Sequence, residues 1–195
     1  MIAIIQYNAG NILSVYNAID RLGYDCIITN DHKKIKDSDK VIFPGVGEAF
    51  SAMKYLRSNK LDKLIQNLEQ PVLGICLGMQ LMCNSSEEGP TQCLKIFPND
   101  VVRFKNNDLV PHMGWNNVKI EKKHELFSGI EDKQFFYFVH SFVASNTETS
   151  ITTTHYGEEF VSSLATENIF ATQFHPEKSG EIGLKFLENF INWKI

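Results

Sequence analysis

The sequence predicts a single α/β domain over residues 1–195, built on a central mixed, mainly parallel sheet flanked by helices, with an antiparallel extension. Three observations carry that expectation. In the first half, short apolar runs alternate with stretches whose apolar residues recur every three or four positions, the β-α-β order of a parallel sheet. Beyond Gly89 strand-like runs follow one another with turn residues between them and no helix-length segment, which suits antiparallel pairing. A length of 195 residues is enough to bury one core without disulfide or metal staples.

The apolar run at residues 2–5 reads as a first buried strand. Ile12, Val15, Tyr16, Ile19 and Leu22 then give a helical stripe, with Asn11 as a candidate N-cap and Gly23 as the residue just past the C-terminus. Residues 26–29 and 41–43 read as the second and third strands. After Pro44-Gly45-Val46-Gly47, the spacing of Met53, Leu56, Leu64, Ile65 and Leu68 predicts helix, interrupted near Asn59, before a fourth strand at 72–75. In the second half, residues 101–104, 135–139, 160–165 and 169–174 read as strands, the last two joined by a turn at Glu167-Asn168. A final helix starting near Ser179 buries Ile182, Phe186, Leu187, Phe190 and Ile191.

Composition narrows the function. With 43% apolar and 22% charged residues, the chain is of globular type rather than disordered. A formal net charge of −4 and the lack of a long basic run give no reason to expect nucleic acid or a membrane surface, so a small-molecule substrate is expected. The first apolar run is too short for a signal peptide or a membrane span, and a cytoplasmic location follows as the expectation. Cys26, Cys76, Cys83 and Cys93 have no CxxC spacing, and His32, His112, His124, His140 and His155 lack ligand spacing. Free thiols, no metal and no cofactor are expected.

The sharpest local signal is Gly74-Ile75-Cys76-Leu77-Gly78, where an apolar strand meets a cysteine between glycines and then a helical run. That is the form of a nucleophile elbow: a strained strand-to-helix turn lifts the side chain above the sheet, and the helix N-terminus favours a thiolate. By itself the pentapeptide also suits a small buried hydrophobe beside a turn. The second signal is Phe174-His175-Pro176-Glu177. In extended chain the one-residue gap places His175 and Glu177 on one face, and Pro176 keeps them at a strand end. Glu177 can then orient one imidazole nitrogen while the other exchanges a proton with Cys76, giving a Cys-His-Glu triad. The loop after the third strand should border the same crevice, where amides near Val46 and at Leu77 can form an oxyanion hole.

These residues resemble the triad glutamine amidotransferases and, within them, the glutaminase subunits of imidazole glycerol phosphate synthase. The resemblance spans nearly the whole chain. It rests on Tyr7-Asn8-Ala9-Gly10-Asn11, Pro44-Gly45-Val46-Gly47, the cysteine elbow through Gln80, Ser86-Glu87-Glu88-Gly89, Pro111-His112-Met113-Gly114-Trp115-Asn116, Tyr137-Phe138-Val139-His140-Ser141 and Gln173 to Ser179. The elbow and His-Pro-Glu belong to the wider superfamily, whereas Pro-His-Met-Gly-Trp-Asn is specific to this branch.

The resemblance implies a class I glutamine amidotransferase-like, flavodoxin-like domain. It also implies that Cys76 is the nucleophile, His175 the general acid and base, and Glu177 its orienting carboxylate. Gly45, Gln80, Glu88, His140 and Ser141 would hold L-glutamine, while Asn11, Trp115, Tyr137 and Lys178 would face the (β/α)-barrel cyclase subunit of a heterodimer. Gln6 and Asn8 stand where many members carry Asp and Gly, and the stretch 91–97 is poorer in glycine than the family pattern and has no assigned function. Two other functions remain open on the sequence: a paralogous glutaminase feeding a sugar-modifying synthase, and a non-catalytic chaperone or regulatory module on the same elbow.

Overall fold

A computed structural model of the protein describes residues 1–105 and 110–195. The first half runs β1 (Ile2–Ile5), α1 (Ile12–Arg21), β2 (Cys26–Thr29), α2 (His32–Lys36), β3 (Lys40–Phe43), α3 (Ala49–Ser58), α4 (Leu61–Gln66), β4 (Val72–Ile75) and α5 (Leu77–Met82). The second half runs β5 (Ser85–Ser86), β6 (Thr91–Gln92), β7 (Asp100–Arg103), β8 (His112–Ile120), β9 (Gln134–His140), β10 (Phe142–Ala144), β11 (Ser150–Tyr156), β12 (Glu158–Ala165), β13 (Ile169–Thr172) and α6 (Gly180–Asn192).

The sheet order is β2-β1-β3-β4-β13-β12-β10-β7-β5-β6, with β11 on β12 and β8 on β11 and β9. Strands β2, β1, β3, β4 and β13 are parallel, and the extension beyond β13 is mainly antiparallel. This is the expected mixed sheet, and it brings the C-terminal ends of β3, β4 and β13 side by side. Ligand crevices in such sheets lie at those ends.

Alternation along the strands builds two cores. Ile2, Ile4, Ile42, Leu73 and Ile75 face α1 and α6, where they meet Val15, Ile19, Phe186, Leu187 and Phe190. Ala3, Ile5, Val41, Phe43 and Val72 face the opposite side and meet Leu56, Leu61, Leu64, Ile65 and Leu81. Each Val, Leu, Ile or Phe among them contributes about 1.5–3 kcal/mol by leaving water. Truncating one at full burial, such as Phe186, costs more, about 3–5 kcal/mol, because a cavity remains.

Several local expectations are corrected. Asn11 precedes α1 but sits in the left-handed region (φ 68°) and makes no capping bond with its side chain. Helix α2 has too short an apolar stripe to show in the sequence; Asp31 caps it by accepting from the Lys33 and Lys34 amides at 2.8 and 3.0 Å. The long strands β8 and β11 are additions to the sequence reading. The last strand stops at Thr172 rather than 174, and Pro176–Lys178 forms a single 3-10 turn. The stretch 91–97, with no function assigned from the sequence, packs behind the elbow helix: the Leu94 amide donates to the Leu81 carbonyl (2.8 Å) and the Phe97 amide to that of Met82 (3.0 Å).

Candidate active site

Strand β4 delivers Cys76 in a sparsely populated conformation, φ 52° and ψ −106°, immediately before α5. Holding such a backbone costs on the order of 1–3 kcal/mol, and the surroundings enforce it. The Cys76 amide donates to the Thr172 carbonyl of β13 at 2.7 Å, and the Cys76 carbonyl accepts from the Gln80 amide at 3.2 Å. The strained dihedrals belong to Cys76 itself, and the flanking glycines serve the turn by leaving room. A Cβ on Gly78 would lie 1.9 Å from the Phe43 carbonyl oxygen, and one on Gly74 2.9 Å from the Met82 sulfur. Both glycines let α5 approach the sheet.

His175 leaves β13 extended, and Glu177 returns beside it from the 3-10 turn. The two are therefore joined across a turn and not along a strand face, as the sequence spacing suggested. Pro at the first position of that turn favours it. His175 Nδ1 donates to Glu177 Oε1 at 2.7 Å, with both side chains buried. That bond fixes the tautomer, so Nε2 is free for proton exchange, and it is buried without a hydrogen-bond partner. Burial by itself would lower the His175 pKa, but the neighbouring Cys76 and Glu177 outweigh it and hold the imidazole above its ordinary value. The Ser179 hydroxyl anchors the turn through the His175 carbonyl at 2.6 Å.

The loop after β3 is fastened at three successive carbonyls. Pro44 accepts from the Tyr7 hydroxyl (2.7 Å), Gly45 from the Leu77 amide (3.2 Å) and Val46 from the Gly10 amide (3.1 Å). The Leu77 donor expected for an oxyanion hole is thus occupied by the Gly45 carbonyl. Because N–H and C=O of one peptide point in opposite directions, the Val46 amide is turned away from the space that the Gly45 oxygen occupies.

A cleft of about 260 Å³ opens over Cys76, lined among others by Val46, Gln80, Glu88, His140 and Ser141. Its size suits a small metabolite. Glu88 Oε2 accepts from the Ala49 amide at the start of α3 (2.9 Å), which leaves its other oxygen for a ligand. The Gln80 side chain is engaged inward, donating to the Phe142 carbonyl (3.1 Å) and Gln173 Oε1 (3.0 Å). His140 is buried and bonded to His112.

Of the four residues expected at a partner surface, three meet. Trp115 and Tyr137 pack edge to face with ring centroids 6.2 Å apart, and Lys178 Nζ lies 5.8 Å from the Tyr137 ring. Trp115 and its neighbour Met113 are exposed. The fourth, Asn11, reaches the turn that carries Lys178: its side-chain amide donates to Glu177 Oε1, the oxygen that also accepts from His175. Sequence reasoning missed Gln173, whose Nε2 lies 3.7 Å from Cys76 Sγ, although its two-residue step before His175 was a usable signal. It also missed Tyr7 and His112, whose roles depend on distant backbone. Among the described residues, no group of three or more His, Cys, Asp or Glu is arranged to hold a metal ion. No helix there is long and apolar enough to cross a membrane.

Residues 3–193 match the family model of glutamine amidotransferase class-I. The chain is 50% identical over 194 residues to the imidazole glycerol phosphate synthase subunit HisH of Bacteroides thetaiotaomicron, covering 98% of each protein. It is 48% identical over 196 residues to that of Methanocaldococcus jannaschii, again with 98% of each covered. Among solved structures it resembles a putative GMP synthase protein from Thermoplasma acidophilum, with a TM-score of 0.78, 22% identity and coverage of 98% of this chain and 92% of that one. The chain belongs to the class-I glutamine amidotransferases, in the branch that contains the HisH subunits of imidazole glycerol phosphate synthase.

Proposed function

We propose that this protein is the glutaminase subunit of an imidazole glycerol phosphate synthase, hydrolysing L-glutamine to L-glutamate and ammonia and passing the ammonia to a cyclase subunit. In that reaction the cyclase makes imidazole glycerol phosphate and AICAR from PRFAR, a step of histidine biosynthesis. The observation that carries the glutaminase is a cysteine on a strained elbow beside a buried, carboxylate-oriented histidine. The names of the half-identical relatives support the choice of partner.

The Cys76 thiol gives its proton to His175 Nε2, and the sulfur attacks the carboxamide carbon of glutamine, giving a tetrahedral oxyanion. His175 Nε2 gives its proton to the departing nitrogen, ammonia leaves, and a thioester remains on Cys76. His175 then takes a proton from water, whose oxygen attacks the thioester and releases glutamate. Glu177 keeps Nδ1 protonated and offsets the imidazolium charge throughout. In the cleft, the free oxygen of Glu88 suits the substrate ammonium, and Gly45, Gln80, His140 and Ser141 are the remaining candidates to hold it.

The resting loop gives a way for the enzyme to avoid wasting ammonia. While the Gly45 carbonyl lies on the Leu77 amide, it faces the region where the substrate oxyanion would form and repels it. Reversing the Gly45–Val46 peptide withdraws that oxygen, frees the Leu77 donor and turns the Val46 amide inward. Loss of one such donor costs roughly 10²–10³ in rate. Partner and ligand binding would drive the reversal by favouring the open form, with the partner seated on Trp115, Tyr137 and Lys178. Steady-state glutamine hydrolysis by the chain alone, with cyclase, and with cyclase plus its nucleotide ligand tests this reading. A strong rise is expected only in the third case; equal rates within about twofold would exclude the regulated partnership.

A further inference from the structure

Two runs of hydrogen bonds meet at the Phe142 carbonyl, one from β8 through His112 and His140 and one from the nucleophile through Gln173 and Gln80, and backbone carbonyls fix the sense of each. At the outer end, Asn116 Nδ2 lies 2.9 Å from the His155 carbonyl, which can only accept, so this atom is the amide nitrogen. It also faces His112 Nε2 at 3.3 Å. At the inner end, His140 Nδ1 lies 2.9 Å from the Phe142 carbonyl and therefore carries its proton. His140 Nε2 is left bare and accepts from His112 Nδ1 at 3.0 Å. Burial lowers the His112 pKa to about 4 and, with His112 and His175 nearby, that of His140 to about 3, so both rings stay neutral and the order persists at neutral pH.

The Phe142 carbonyl is also the anchor for the inner half. Gln80 Nε2, 3.1 Å away, must be the amide nitrogen, and the same nitrogen donates to Gln173 Oε1 at 3.0 Å. With its oxygen held there, the fully buried Gln173 can turn only its N–H towards Cys76 Sγ, at 3.7 Å. An N–H donor gains little from a neutral thiol and much more from a thiolate. The sulfur's other hydrogen-bond contact is the Val139 carbonyl, 3.8 Å away, which accepts from the neutral thiol and would face the thiolate unfavourably. The titratable groups around the sulfur are the His175 imidazole, the Tyr7 phenol and, on the cleft wall, Glu88 and the neutral His140. Burial, followed by the nearby Cys76, pushes the Tyr7 pKa up and keeps the phenol neutral.

We propose that Gln173 is a further catalytic residue, the fixed N–H donor that stabilises the Cys76 thiolate, and that Gln80 is a positioning residue that orients it. This rests on Cys76 being the nucleophile. The test is the pH dependence of iodoacetamide alkylation, read at each cysteine by mass spectrometry in the full chain. Wild type is compared with Gln173→Met, which is nearly isosteric but cannot donate, and with Gln80→Met.

The half-maximal alkylation rate at Cys76 should move up by about one pH unit or more in Gln173→Met, and in the same direction by less in Gln80→Met. A folded Gln173→Met protein whose Cys76 profile superimposes on wild type overturns the proposal. If Gln173→Met does not fold, Gln80→Met decides by the same criterion. Retained glutamine turnover in Cys76→Ser would instead overturn the nucleophile assignment, and the proposal with it. Unchanged profiles with a Cys76 essential for turnover would overturn the role of Gln173 alone.

Discussion

The Leu77 amide donates to the Gly45 carbonyl across 3.2 Å, so the first donor an oxyanion would need is already satisfied within the protein. The Tyr7 hydroxyl holds the preceding carbonyl, that of Pro44, at 2.7 Å. Tyr7→Phe should loosen this peptide and raise the basal glutamine hydrolysis of the isolated chain several-fold. It should also lower stability by about 1–3 kcal/mol, because the Pro44 carbonyl is left unpaired in a buried place. Initial rates and urea denaturation measure both effects. An unchanged basal rate with the expected stability loss would show that the Tyr7 bond is structural and does not restrain the loop.

Replacing Cys76 by Ala or Ser should abolish glutamine hydrolysis while the assembled synthase still forms product from ammonium salts. Only the ammonia supply is removed by these changes. Parallel assays with glutamine and with ammonium chloride separate the two activities, and loss of both would point to a damaged interface.

Glu177 Oε1 receives both the His175 ring and the Asn11 amide, and the two contacts predict a ranking. Glu177→Gln should slow turnover less than Cys76→Ala, since it weakens orientation and charge compensation without removing the bond-forming atom. Asn11→Ala removes one hydrogen bond to a charged group, worth about 1.5–3 kcal/mol, and should reduce kcat by roughly ten- to a hundredfold. KM should change little. A large KM effect in Asn11→Ala would place its role in substrate binding.

Stability should fall on mild acidification because His112 and His140 are buried neutral, at about 4 and about 3, against an unfolded value near 6.5. The unfolded chain binds more protons between these values, so unfolding is favoured as pH drops. His175 is shifted the other way; its contribution is full below about 6.5 and is lost as pH rises through its raised value, which offsets part of the change near neutrality. The net loss from pH 7 to pH 5 should be on the order of 3 kcal/mol. Chemical denaturation at the two pH values measures it, and a flat profile would mean that the imidazoles are protonated or solvated in the folded state.

The parallel half of the sheet was legible because its strands are short apolar runs with helical stripes between them, down to the helix break at Lys60, whose φ is 57°. Strand β8 was not, since its burial alternates irregularly and its outer side carries exposed Met113 and Trp115, as a partner-facing strand would. The residues proposed as a triad stand out by local chemistry: a cysteine between glycines, and a histidine next to Pro-Glu. The tie of Asn11 to Glu177 spans 166 positions and that of Gln80 to Gln173 spans 93; no local pattern announces either. Such contacts exist only because the parallel order sets the ends of β1, β3, β4 and β13 together.

The segment between β1 and α1 holds the oxyanion loop through Tyr7 and Gly10 and the acid-base pair through Asn11. These attachments are separated by only a few residues of chain. A push on this segment from outside would therefore be felt at once by the loop proposed to receive the negative charge and by the residue proposed to move the proton. The two halves of the chemistry share one lever, so a partner need not reach into the cleft to ready both.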